Sequence, residues 1–227
     1  MPIDVARVKA LCFDVDGTLS NTDDQFVQKL SKALTPIGFI FRHQEVRPIA
    51  RKLVMFTEGP GNWLYHLADK FGWDDKIVAL GDRVYDMGIG ETNEPFLLID
   101  GVREMLVMMR NQYPLSIISA RGRKSTFRFL FQFELLSCFT AVATGQTCFH
   151  TKPYPDPLEW AATRMGVPAS SCLMIGDTVA DILAGKNAGA QTVAVLCGFG
   201  EEKELRRAGA DLIIKNTADF VDLLSKK

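Results

Sequence analysis

Short apolar runs alternate with amphipathic stretches along most of this chain. The runs cover 8–13, 115–119, 139–144, 172–176, 191–196 and 211–214. Their length suits strands, and their near-continuous apolar character suits burial on both faces. Between them, apolar positions recur at helical spacing near 101–112, 122–136, 157–165, 179–188, 201–208 and 217–225. Strand–helix alternation of this kind predicts βαβ units and a parallel sheet with right-handed crossovers. The predicted fold class is therefore α/β, a doubly wound, mostly parallel, Rossmann-like sheet, with the strand at 8–13 near its middle.

Residues 21–90 break the pattern and hold no convincing strand. Phe26, Leu30 and Leu34 recur every four residues and mark one helical face. Pro36 and Gly38 end that helix; Gly59, Pro60 and Gly61 interrupt the next stretch, and helical patterns resume from Trp63 to Phe71 and from Asp74 to Met87. The expected organisation is a core of residues 1–19 and 93–227 carrying an inserted, all-helical cap of residues 20–92.

Composition narrows the partners. The chain has 227 residues, 47% of them hydrophobic, with a formal net charge of −1. That balance argues against nucleic acid, which calls for an excess of Lys and Arg. No apolar run approaches the ~18 residues that cross a bilayer, so no membrane partner is expected. The five cysteines (12, 138, 148, 172 and 197) form no CxxC pair. Their odd number reads as reduced thiols and a cytoplasmic location rather than a zinc site. A monomer or homodimer is expected.

Candidate chemistry gathers where the apolar runs end, which is where open α/β sheets bind ligands. The first run ends in Asp14-Val15-Asp16-Gly17-Thr18, two carboxylates two residues apart. Like charges that close call for a metal, or for one ionised and one protonated acid. The run at 115–118 ends in Ser119, and the run at 172–176 ends in Asp177 with Asp181 four residues on. A helix opening there would put those two acids on one face. Between them in sequence, Lys152 heads a loop stiffened by Pro153, Pro155 and Pro157. Acids, a hydroxyl and a lysine at one edge suit phosphoryl chemistry with Mg²⁺. Backbone N–H groups at Gly17, Thr18 and Ala120 are expected to help cradle the phosphate.

These segments resemble the four ordered motifs of the haloacid dehalogenase-like (HAD) hydrolase superfamily. The stretch from Lys152 to Pro157, the Ala188-Gly189-Ala190 segment and the helical insert are similar to its phosphoglycolate phosphatase-like branch. The resemblance implies a phosphatase that hydrolyses a small phosphorylated metabolite through an aspartyl-phosphate. Asp14 would be the nucleophile, and Asp16 the acid and then the base. Mg²⁺ would be held by the Asp14 carboxylate, the Asp16 main-chain oxygen and Asp177, with Asp181 in its outer shell. Ser119 and Lys152 would hold the phosphoryl oxygens. Many relatives carry an amide or a lysine where this chain has Ala120-Arg121, so Arg121 stays outside the expected catalytic set.

Other readings stand beside these. Asp177 and Ser119 also suit helix N-caps. Arg42, His43, Arg47, Arg51 and Lys52 form a basic run that is either a solvated helix face or a source of contacts, through Arg47 or Arg51, to a second anion on the substrate. Phe127, Phe129, Phe131 and Phe133 are expected to pack, and His150 to be a loop histidine. A phosphomutase on the same scaffold and a receiver-like phospho-acceptor module are the competing functions.

Overall fold

The computed structural model describes residues 3–21 and 95–221. Of the helical cap expected at 20–92, all but Ser20 and Asn21 lies outside the described residues, Arg47 and Arg51 included. Within them the elements are β1 (Ala10–Phe13), α1 (Val102–Met109), β2 (Leu115–Ile118), α2 (Arg123–Gln132) and β3 (Ala141–Ala143). There follow α3 (Asp156–Met165), β4 (Cys172–Gly176), α4 (Val179–Asn187), β5 (Gln191–Val195), α5 (Glu202–Arg207) and β6 (Leu212–Ile214).

The six strands form one parallel sheet in the order β3-β2-β1-β4-β5-β6. β1 lies between β2 and β4, with Phe13 in register with Ile117 on one side and Ile175 on the other. The chain winds outward from β1 in one direction and from β4 in the other. The crevice beyond the carboxyl ends of β1 and β4 is therefore the topological switch point, the place where such sheets take ligands.

Alternation along β1 explains both faces of the sheet. Leu11 and Phe13 join Leu115, Ile117, Leu173 and Ile175 in a core with Met105 and Leu106 of α1 and Phe129 and Leu130 of α2. Phe220 closes that core, edge-on to Phe13 at 6.3 Å. Ala10 and Cys12 face the other way, against Leu158, Ala161 and Ala162 of α3. All five cysteines are free thiols.

Several expected boundaries move. The run at 139–144 is shorter as a strand because Leu136–Cys138 form a 3₁₀ turn and the Thr144 N–H turns back to Thr147 Oγ1 at 2.8 Å. The helix expected over 122–136 stops at Gln132, two residues before Glu134 takes a left-handed φ of 55°. Phe131 stays outside the core: it is 63% exposed and meets the Phe127 ring at 6.3 Å, whereas Phe129 is fully buried. A two-residue spacing turns about 200° on a helix and sends alternate side chains to opposite faces.

The chain leaves and re-enters this core side by side. The Asn21 N–H donates to Leu97 O at 2.8 Å and the Ile99 N–H to Leu19 O at 3.0 Å. Ser20 Oγ donates to Leu97 O at 3.2 Å. Residues 95–99 are thereby held next to the turn that carries Asp16.

Candidate active site

Asp14 follows β1 directly, and its N–H still bonds across the sheet to Ile175 O at 3.0 Å. Its carboxylate is buried and meets Lys152 Nζ at 2.7 Å. The same ammonium lies 2.6 Å from Asp181 Oδ1. Ligand oxygens of Asp14, Asp177 and Asp181 all lie within 4.8 Å of one another, among buried residues. Four side chains from three distant segments therefore converge.

Local structure fixes each of them. The Lys152 loop is pinned to α4 by Asn187 Nδ2, which donates to Pro153 O at 3.0 Å, and it turns into α3 with Pro155 at the N-cap. Asp177 does not share a helix face with Asp181. It sits in the turn before α4, where Thr178 is the N-cap, so it leaves the strand end directly. Thr18 Oγ1 donates to its Oδ1 at 3.2 Å and the Phe199 N–H to its Oδ2 at 2.8 Å. Asp181 completes a capping box: its Oδ2 accepts from the Thr178 N–H at 2.9 Å and from Thr178 Oγ1 at 2.7 Å. Both Asp181 oxygens are thus committed, one to Thr178 and one to Lys152.

The charges are unequal, three buried carboxylates against one ammonium. Burial pushes the Asp14 carboxyl up to about 7, with Asp181 and Asp16 adding to the rise and Lys152 opposing it. Burial alone would pull Lys152 down, but Asp14 and Asp181 together lift it above the ordinary lysine range. Lys152 is held as an ammonium, and a second cation is what the remaining negative charge calls for.

Ser119 follows β2 and is buried; its Oγ accepts from the Arg121 N–H at 3.1 Å. Ala120 beside it is exposed. The N–H groups of Gly17 and Thr18 have a different use from the one expected: they donate within the turn, to Ser20 O at 2.9 Å and Val15 O at 3.4 Å. Gly17 takes a φ of +69° and has no room for a side chain against Asp177. His150 pairs with Asp156 at 3.0 Å and stacks on Tyr154.

Sequence reasoning missed two contributors. Arg121 meets Asp16 through two hydrogen bonds of 2.5 Å, Nε to Oδ2 and Nη2 to Oδ1. Gly198 lies against Asp177 and Gly17 O so closely that only a glycine fits. The glycines flanking Phe199 after β5 were the available signal, since paired glycines after a strand mark close approach of backbone.

A parallel sheet with this acid–lysine cluster at its switch point has the architecture of a HAD-type hydrolase. The model of the family described as haloacid dehalogenase-like hydrolase matches residues 11–195, and the chain belongs to that family. It is 26% identical to the pyrophosphatase PpaX of Halalkalibacterium halodurans, over 97% of this chain and 99% of that one. It is 29% identical to a phosphoglycolate phosphatase of Nitrosococcus oceani, over 95% and 96%. Among solved structures, a HAD family hydrolase from Deinococcus radiodurans R1 with bound phosphate and sodium superposes with a TM-score of 0.71, at 24% identity, covering 97% of this chain and 96% of that one. Membership in the family and the phosphatase names of these relatives make the protein a hydrolase of the phosphatase kind.

Proposed function

We propose that the protein is a Mg²⁺-dependent phosphatase that removes the phosphoryl group from a small metabolite through an aspartyl-phosphate on Asp14. The observation that carries this reading is the Lys152 ammonium seated between Asp14 and Asp181 with Asp177 alongside. Such a nest has one nucleophilic carboxylate, one fixed cation and surplus negative charge for a second cation. Hard carboxylate oxygens suit Mg²⁺. Asp14, the Asp16 main-chain oxygen and Asp177 would hold it. Asp181, with both oxygens engaged, would act from the outer shell. When bound, Mg²⁺ supplies charge that draws the phosphoryl group toward Asp14 and offsets the negative charge of the transition state.

In this account a carboxylate oxygen of Asp14 attacks phosphorus as the bond to the leaving oxygen breaks, and Asp16 hands that oxygen a proton. Asp16 then takes a proton from water, which attacks phosphorus and splits the aspartyl-phosphate into inorganic phosphate and free Asp14. Lys152 and Ser119 hold the phosphoryl oxygens as charge spreads over them. Residues 1–19 and 93–227 form the catalytic core and 20–92 the cap, from which Arg47 or Arg51 reaches a second anion on the substrate. The named substrates of the relatives, pyrophosphate and phosphoglycolate, both carry such an anion. The free thiols fit a reducing, cytoplasmic setting.

The test is phosphate release from a panel containing phosphoglycolate, pyrophosphate, sugar phosphates and nucleotides, with Mg²⁺, with chelator and with Mg²⁺ restored. Turnover that stops with chelator and returns with Mg²⁺ is expected, together with no turnover in Asp14→Asn. Turnover indifferent to chelator, or full activity in Asp14→Asn, would refute the proposal.

A further inference from the structure

We infer that Arg121 is a positioning residue for Asp16: its guanidinium fork holds the carboxylate that serves the leaving group. The inference rests on the phosphatase reading above and adds to it a residue outside the family-like motifs.

The two acids of the first motif have different basic partners. Asp14 meets an ammonium, whereas Asp16 meets a guanidinium through two parallel hydrogen bonds of 2.5 Å. Paired N–H donors against both carboxylate oxygens fix the plane of the ionised acid as well as its distance. To serve the leaving group Asp16 takes a proton from solvent on one oxygen, giving up one of the two bonds, while the other keeps it in place. Asp16 needs that restraint. It sits past the end of β1 on a turn, and its side chain is 31% exposed. An unrestrained Asp there would sample several rotamers.

The fork is itself held. The guanidinium carbon lies 4.8 Å from the centre of the Phe96 ring and 5.7 Å from that of Phe129. Those rings pack edge to face at 5.8 Å. Phe96 is fixed in turn by Gln132, whose Oε1 accepts from the Phe96 N–H at 3.0 Å and whose Nε2 donates to Phe96 O at 2.8 Å. At the other end, the Arg121 N–H is tied to Ser119 Oγ. Arg121 therefore links the phosphate-side Ser119, the acid Asp16 and the segment returning from residues 22–94. A lysine offers one point charge and no plane, so it cannot hold Asp16 in the same way.

The experiment compares kcat/KM on phenyl phosphate and 4-nitrophenyl phosphate, two aryl esters that differ by one para-nitro group. Phenolate leaves poorly without a proton, whereas nitrophenolate hardly needs one, and kcat/KM reports the step in which it leaves. Positioned proton transfer contributes about 10²-fold or more, so Arg121→Ala is expected to lose about 10²-fold on phenyl phosphate and under about 3-fold on the nitro ester. Arg121→Lys should fall between. In an Asp16→Asn background, Arg121→Ala should change kcat/KM on phenyl phosphate by less than about 2-fold, because the two residues act as one unit. Equal losses on the two esters, or full additivity with Asp16→Asn, would overturn the inference alone. If melting shows that Arg121→Ala does not fold, Arg121→Lys carries the comparison, with at least about 5-fold selective loss on phenyl phosphate expected and an equal effect on both esters contradicting it. A wild-type protein inert toward both esters would overturn the phosphatase reading and this inference with it.

Discussion

Replacing Lys152 with Met keeps a long apolar stem and removes the only ammonium that the described residues place among three buried carboxylates. The Lys152 side chain is 6% exposed, that of Asp14 7% and that of Asp181 0%. Breaking a buried pair by deleting one partner costs about 3–5 kcal/mol, because the other charge is left uncompensated. For a chain of this size each kcal/mol moves the midpoint by about 2–4 °C, so a fall of about 6–20 °C is expected without metal at about pH 8. The loss should shrink in acid. Asp14 already titrates near 7 with Lys152 in place, against 3.8 for an ordinary aspartate. Without Lys152 it rises further, so between those values the folded variant holds a proton that the unfolded chain lacks. Stability of the variant then increases as pH falls from about 8 to about 5.5. Urea unfolding followed by far-UV circular dichroism, in chelator at both pH values, measures this. A loss below about 1 kcal/mol at the higher pH, as an exposed pair would give, or equal losses at both, would refute the reasoning.

Gly198→Ala puts a Cβ onto Asp177 Oδ2 and 2.6 Å from Gly17 O. If Asp177 serves the site as proposed, displacing its carboxylate by about 1 Å should lower kcat/KM about 10²-fold, and wild-type turnover in that variant would contradict the proposed role. Lys186 and Thr192 hold the Asp211 carboxyl below its usual range against the opposing effect of burial. Its contribution to stability is present above about pH 4 and lost as pH falls further, so Asp211→Asn should flatten the acid limb of a stability–pH curve.

The sheet was legible because its four central strands, β2, β1, β4 and β5, are buried throughout. Runs such as 172–176 carry no polar residue to blur them, and their order in the chain already implied right-handed winding about a central β1. Asp14 and Asp177 were legible because strand ends in such a sheet converge on one edge, and Lys152 because it heads a proline-stiffened loop that leads back toward them. Arg121 was not. It lies 105 positions from Asp16, and only the folded turn after β2 brings its fork to that acid. Gly198 was hidden for a different reason: its role is to leave space for the Asp177 carboxylate, and a missing side chain has no chemical label. Phe131 misled because aromatic character suggests burial, whereas the pitch of α2 decides which of alternate phenylalanines faces inward.

The central claim is that the Asp14 carboxylate takes up the phosphoryl group. Acid quenching during turnover, borohydride reduction and mass spectrometry of the resulting peptides test it directly, since reduction converts an aspartyl-phosphate into homoserine. Homoserine at position 14 is the expected result. Conversion at Asp16 or Asp177 instead, or no converted aspartate while phosphate is being released, would contradict it.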